Sequence, residues 1–193
     1  MKNILKKNIN NLISSLNALE KKSYLIVDIS NIILKFIINK KKIFVFGNGG
    51  SFADSSHFVG ELTATFTKKR KPLPFILLGS NLAAVTAWSN DYKYEDYIER
   101  ELIAYSKRGD LLILLSTSGG DLKNKQSMNL VNISKVAKKR GVYTICFLGK
   151  KGGYLKNNSN INYIVESNIT STIQEVHKNI LHSICEYLDK KIK

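Results

Sequence analysis

Three short stretches of this chain carry groups able to do chemistry. The first is Phe46-Gly47-Asn48-Gly49-Gly50-Ser51, followed by His57 and Glu61. The second is Ser116-Thr117-Ser118-Gly119, and the third runs from Ile173-Gln174-Glu175-Val176-His177 to His182. The first two follow apolar runs with the character of buried strands, where an open α/β sheet places its ligand crevice. Glycines let a backbone turn tightly and approach a ligand. A helix start adds free N–H groups and a positive dipole end. Asn48, Gly49, Gly50 and Ser51 therefore suit an anion or a sugar, and Ser51 can also cap the helix. The loop lacks the Gly-Lys-Ser/Thr ending of a Walker loop and the spacing of a dinucleotide fingerprint. Ser116, Thr117 and Ser118 repeat the logic with three hydroxyls, and Ser127 and Asn129 open the next helix. Either loop alone is an ordinary turn; two on one sheet edge favour a phosphate site.

His57 and Glu61 are four apart and share one helix face. An imidazole and a carboxylate so placed can bind a metal or move protons, and a solvated pair is the plain alternative. Gln174 and His182 are eight apart on the last helix, about 12 Å along its axis, whereas ligands sit about 2 Å from a metal. Both reach one ion only with well-aimed side chains, so contributions from different subunits enter the reckoning. His177 reads as a packing or hydrogen-bonding histidine. Asn90-Asp91 reads as a cap or turn before the next helix, and Trp88 as core. The whole set points to a phosphosugar site with a metal or an acid/base pair.

Those groups need a frame. Residues 3–39 have helical periodicity with no Gly or Pro, which predicts two antiparallel helices forming an oligomerisation layer. Strands are expected at 42–46, 75–78, 111–115, 142–148 and 161–165. Helices are expected at 52–64, 81–88, 93–107, 127–140 and 171–191. Strands alternating with helices imply an open parallel sheet with right-handed crossovers. The stretch 119–126 is the most polar between elements.

The chain has 193 residues and 44% apolar content, enough for one domain with a proper core. No apolar run is long enough to span a membrane, and the N-terminus has no signal-peptide pattern, so a cytoplasmic protein without a membrane partner is expected. The two cysteines, Cys146 and Cys185, read as buried thiols. The formal net charge is +15, but the lysines are scattered and no nucleic-acid-binding motif accompanies them. That argues for a solvated basic surface rather than a nucleic-acid partner. Such a surface also raises the on-rate of a phosphorylated ligand.

With these residues on the page, the chain resembles the sugar isomerase (SIS) domain family, and within it the phosphoheptose isomerases. The resemblance covers nearly the whole chain. Its markers are Gly47-Asn48-Gly49-Gly50-Ser51, His57-Phe58-x-x-Glu61-Leu62, Asn90-Asp91-Tyr92, Ser116-Thr117-Ser118-Gly119, Gly149-x-x-Gly152-Gly153, and Thr170-x-x-Ile173-Gln174-Glu175-x-His177 with His182. It implies an α/β fold: a single SIS domain over 1–193, with N-terminal helices at 1–40 and an α/β core at 41–193 built on an open five-stranded parallel sheet flanked by helices. It implies an aldose–ketose isomerase that converts sedoheptulose 7-phosphate to D-glycero-D-manno-heptose 7-phosphate, a precursor of surface heptose in lipopolysaccharide or capsule. A homotetramer with zinc (Zn2+) in the site is expected. Carried over, His57, Glu61, Gln174 and His182 hold the metal, and Glu61 and His182 are the acid/base pair. Asn48, Gly49, Gly50, Ser51, Glu61, Asn90, Asp91 and Gln174 hold the sugar. Ser116, Thr117, Ser118 and Ser127 hold the phosphate.

The chain departs from the family pattern in three places. About six extra residues follow Ser118-Gly119 before the pattern resumes at Ser127-Met128-Asn129. Thr65 and Thr172 stand where the family has arginines, while Arg70 and Arg100 match family arginines. The longer loop points to a different or larger sugar as an alternative substrate. Two further readings compete: a non-catalytic SIS adaptor that binds a replication initiator protein, and a sugar-phosphate sensor. The complete acid/base set argues against the adaptor. Sensors of this fold are usually fused to a DNA-binding domain, and residues 1–40 are expected to be too short for one beside the helical layer, which puts the sensor last.

Overall fold

The computed structural model describes residues 1–192. Two helices, α1 (Lys2–Lys21) and α2 (Ser23–Ile38), precede the sheet. Then follow β1 (Ile43–Gly47), α3 (Gly50–Thr63), β2 (Phe75–Leu77), α4 (Leu82–Asp91), α5 (Tyr94–Tyr105), β3 (Leu111–Ser116), α6 (Met128–Arg140), β4 (Tyr143–Leu148), a 3-10 turn (Tyr154–Asn157), β5 (Ile161–Ile164) and α7 (Thr170–Lys191). The strands form one sheet in the order β2-β1-β3-β4-β5, and every pair is parallel.

Continuous apolar runs make these strands because both faces of the sheet are covered. Ile43 and Val45 of β1, with Ile113 and Leu115 of β3, join a cluster beneath α2, α3 and α7. Phe44, Phe46, Leu112 and Leu114 alternate onto the other face, against α5 and α6. The chain leaves β1 toward β2 on one side and later enters β3 on the other. The switch point, where such sheets open a ligand crevice, therefore lies between β1 and β3.

Most expected elements stand where the sequence puts them, and three details differ. Helix α4 runs on to Asp91, so Asn90 and Asp91 form its last turn rather than a cap before α5. Asn81 caps its start by accepting the Ala84 N–H at 3.2 Å, and the Trp88 ring stacks on Tyr92 at 4.1 Å, which holds the final turn. Trp88 sits half-buried at the margin of the core, with the Arg100 guanidinium 4.0 Å over its ring. Ser51 is not the cap of α3; Gly49 takes that position at φ +55°, a conformation that costs an L side chain energy. The polar stretch 119–126 is an ordered miniature hairpin, with Asp121 and Gln126 exchanging both backbone hydrogen bonds at 3.0 Å.

Cys146 and Cys185 are buried free thiols, and burial pushes each up to about 12. Among the described residues no helix is long and apolar enough to cross a membrane. Helix α1 leaves Ile4, Leu5, Ile9 and Ile13 exposed. A cavity of about 500 Å³ opens between α1, α2 and α7, lined by Leu16, Leu19, Ile26, Val27, Ile180 and Tyr187 among others.

Candidate active site

The loop after β1 is shaped by its glycines. A Cβ on Gly47 would lie 2.7 Å from the Ser51 carbonyl oxygen, so only glycine lets β1 pass into α3 here. Asn48 does not point freely into the crevice. Its Nδ2 donates to Asn129 Oδ1 at 2.9 Å, and Asn129 Nδ2 donates back to Asn48 Oδ1 at 2.7 Å. This reciprocal amide pair bridges the β1 loop to the start of α6 across the switch point. Asn129 is expected from sequence only at a helix start, and nothing local links residues 81 positions apart.

After β3, Ser116 is buried and its Oγ accepts the Gly119 N–H at 2.9 Å and the Ser118 N–H at 3.4 Å. Its hydroxyl therefore shapes the turn. Thr117, Ser118 and Ser127 are half-buried. Asn90 and Asp91 are exposed, and Asn90 Nδ2 donates to Asp91 Oδ1 at 2.9 Å.

The remaining groups lie along one seam between α3 and α7, where both helices march in step. At its start the Gln174 amide packs against Gly50 so tightly that a Cβ on Gly50 would overlap it. One turn on, Lys178 Nζ lies 3.6 Å from Asp54 Oδ1. Asp54 is buried, its Oδ2 has no partner, and burial raises its carboxyl above the usual carboxylate range. Next, His57 Nε2 faces His182 Nε2 at 3.0 Å, and Glu61 Oε1 lies 3.3 Å from the same His57 atom. The Phe66 ring stacks on His182 at 5.6 Å. Gln174, Lys178 and His182 recur every four residues and so share one face of α7.

The structure thus brings His57, Glu61 and His182 together and leaves Gln174 about two helical turns away, beside the glycine loop. Two facing Nε2 atoms can share one proton or one cation. In a tetrahedral site with ligands about 2 Å from zinc, neighbouring nitrogens lie a little over 3 Å apart, so the observed spacing suits a common ion. Among the described residues, however, no group of three or more His, Cys, Asp or Glu is arranged to hold a metal.

At the far end of the seam, Arg70 and Asp189 are 0% and 1% exposed in their side chains, with Nε to Oδ1 at 2.6 Å. Arg70 also donates to the carbonyls of Glu61 and Leu62 at 2.8 and 2.9 Å, closing the end of α3. Asp189 Oδ2 accepts the Thr67 N–H and hydroxyl. Burial opposes charge on Asp189, but the Thr67 and Arg70 hydrogen bonds outweigh it and hold the carboxyl below the usual range. His177 is fully buried, as a packing histidine should be. Its Nε2 donates to the Leu148 carbonyl at 3.1 Å, its Nδ1 has no partner, and burial pushes it down to about 4.

Residues 6–149 match the SIS domain, so the chain belongs to the SIS-domain family. Within that family it belongs with the phosphoheptose isomerases, which are aldose–ketose isomerases. A probable phosphoheptose isomerase of Thermoplasma acidophilum is 43% identical over 86% of this chain and 88% of its own length. The phosphoheptose isomerase of Aliarcobacter butzleri is 40% identical over 84% and 83%. The solved phosphoheptose isomerase of Francisella tularensis superposes with a TM-score of 0.86 at 29% identity, covering 98% of this chain and 96% of the other. That of Neisseria gonorrhoeae gives 0.85 at 28% identity, covering 98% of each.

Proposed function

We propose that this protein interconverts sedoheptulose 7-phosphate and D-glycero-D-manno-heptose 7-phosphate through an enediol, supplying heptose for surface glycans from the cytoplasm. The observation that carries the reading is the meeting of His57 and Glu61, on the helix that starts at the glycine loop, with His182 at one level of the α3–α7 seam.

Isomerisation moves a proton between C1 and C2 and shuttles another between their oxygens. Glu61 is the base for the carbon-bound proton, and His182 Nε2 exchanges the oxygen-bound one. The hydroxyls of Thr117, Ser118 and Ser127, within a turn held by Ser116, bind the phosphate and fix the reacting carbons by a remote anchor. Gly49, Gly50 and Ser51 face the sugar with Gln174 beside them, and Asn48 acts by holding the loop to Asn129. The exposed pair Asn90 and Asp91 closes on the sugar from α4.

His57, Glu61, Gln174 and His182 would be the ligands of one zinc ion; the 3.0 Å spacing of the two Nε2 atoms supports the His57–His182 pair, and the other two side chains would have to turn toward it. Zinc would stabilise negative charge developing on the substrate oxygens. Since Gln174 sits two turns from His182 within one chain, assembly of subunits completes the set. A homotetramer is supported by the exposed apolar stripe of α1 and the cavity beside it, surfaces that mark protein interfaces. Residues 1–193 act as one SIS domain in this assembly, the N-terminal helices included.

The test is proton NMR of the protein with sedoheptulose 7-phosphate, with zinc and with a chelator, beside Glu61→Gln. Zinc-dependent growth of an aldose anomeric signal, absent in the variant, is expected. No signal from folded, zinc-loaded protein would overturn the assignment.

A further inference from the structure

A second groove lies on the other side of the phosphate loop, away from the switch point. It is about 520 Å³ in volume and shares Ser118 with the loop, within the size range of small-ligand sites. One wall is the 121–126 hairpin, which supplies Lys123; the other is the turn after β4, which supplies Lys150 and Lys151. Tyr154 and Asn168 add polar groups to the lining.

The groove is built before any ligand arrives. Tyr154 N–H donates to the Gly120 carbonyl at 2.9 Å and Leu155 N–H to the Gly119 carbonyl at 3.0 Å, so the two loops are stitched backbone to backbone. Glycine is required for that approach: a Cβ on Gly119 or Gly153 would overlap the facing loop. The hairpin is fixed from within. Asp121 Oδ1 accepts the Lys123 and Asn124 N–H groups at 2.8 and 3.1 Å, and Oδ2 accepts Asn124 Nδ2 at 2.6 Å. Asp121 is the only carboxylate of the lining, and its own turn occupies both oxygens. Three lysines therefore line the cavity, with one carboxylate whose oxygens are committed within its own turn.

We propose that this groove is a second anion subsite, taking a phosphate group next to the one held by the serine loop. It deepens the phosphosugar reading above and rests on it for the neighbouring site only. The extra residues of the 119–126 stretch then act as a specificity element, selecting ligands with a second phosphate or admitting a free phosphate beside the substrate.

Inorganic phosphate is the first probe, titrated into the full-length protein by calorimetry. Two sites per chain are expected. Lys123→Ala/Lys150→Ala/Lys151→Ala should weaken one at least about tenfold, since hydrogen bonds to charged groups each contribute more than that factor. Thr117→Ala/Ser127→Ala should remove the other. A single site lost only in the second variant would overturn the groove and leave the serine loop standing. A single site lost only in the lysine variant would uphold the groove and overturn the loop. Unchanged binding in the lysine variant would also overturn the groove. Pyrophosphate separates the sources: a preference over phosphate that the lysine variant abolishes means one ligand spans both sites, and no preference means a free anion. Retained thermal melting of the variants excludes misfolding, because all three lysines are exposed.

Discussion

The two ends of the α3–α7 seam are built from similar residues and behave in opposite ways. Arg70 and Asp189 are sealed from water, and the carboxylate has a partner on each oxygen. His57 and Glu61 have side chains 49% and 24% exposed, and the three groups crowd around one imidazole nitrogen. A closed, fully paired cluster can only hold helices together. An open one, with two imidazole nitrogens and a carboxylate oxygen close together and part-exposed, has capacity left for a proton, a cation or a substrate oxygen. The buried end fixes the last turn of α3 through the Glu61 and Leu62 carbonyls, so it also sets where the open end stands.

Substitutions at the two ends should separate activity from stability. Glu61→Gln should lower kcat at least about 100-fold, the range for losing a general base, while the melting temperature stays within a few degrees. An equal loss of both would erase the distinction. Asp189→Ala strands the Arg70 charge and should cost about 3–5 kcal/mol, lowering the melting temperature on the order of 10 °C. Calorimetric melting checks it, and a small shift would show that the buried pair is replaceable.

The start of the seam sharpens the contrast. Gly50→Ala displaces the Gln174 amide, so kcat/KM should fall about tenfold, a modest loss of positioning. Stability should hold or rise, since alanine suits a helix better than glycine by up to about 1 kcal/mol. A gain in kcat/KM would assign Gln174 to packing alone.

The smallest effect concerns pH. His177 is pushed down to about 4 by burial, against about 6.5 when unfolded. Between those values the unfolded chain binds a proton that the native state refuses, so stability falls as pH drops from 6.5 toward 4. Urea midpoints at pH 7 and pH 5 should differ less in His177→Gln. Asp189 acts lower: its depressed carboxyl contributes stability above the unfolded value near 4, lost as pH falls through the native value.

Much of this was readable in advance because it is local. Leu111–Leu115 is an unbroken apolar run and Tyr143–Leu148 a β-branched and aromatic one, and both read as buried strands. Gly47 to Ser51 announce a turn into a helix, and four-residue spacing puts His57 and Glu61 on one face. The end of α4 was misread because the Trp88–Tyr92 stack and the Arg100 cation over Trp88 hold a turn that local signals do not show. Ser116 read as a phosphate group, and the structure adds that its oxygen accepts two N–H groups of its own turn. Asn129 and Asp189 carried no signal, since a lone amide or carboxylate in a basic, polar helix looks solvated.

The sequence by itself determined the strands, most of the helices, the two glycine- and serine-rich turns at the strand ends, and the family. Periodicity and turn chemistry act over a few residues, and a chain writes them directly. Only the tertiary structure decided that His57 meets His182 across 125 positions, that Gln174 stands with Gly50 instead, and that the extra residues form a hairpin that brings Lys123 opposite Lys150 and Lys151. Those facts depend on which helix packs beside which across the sheet and at what level, and that is set by the shared burial of many distant side chains at once.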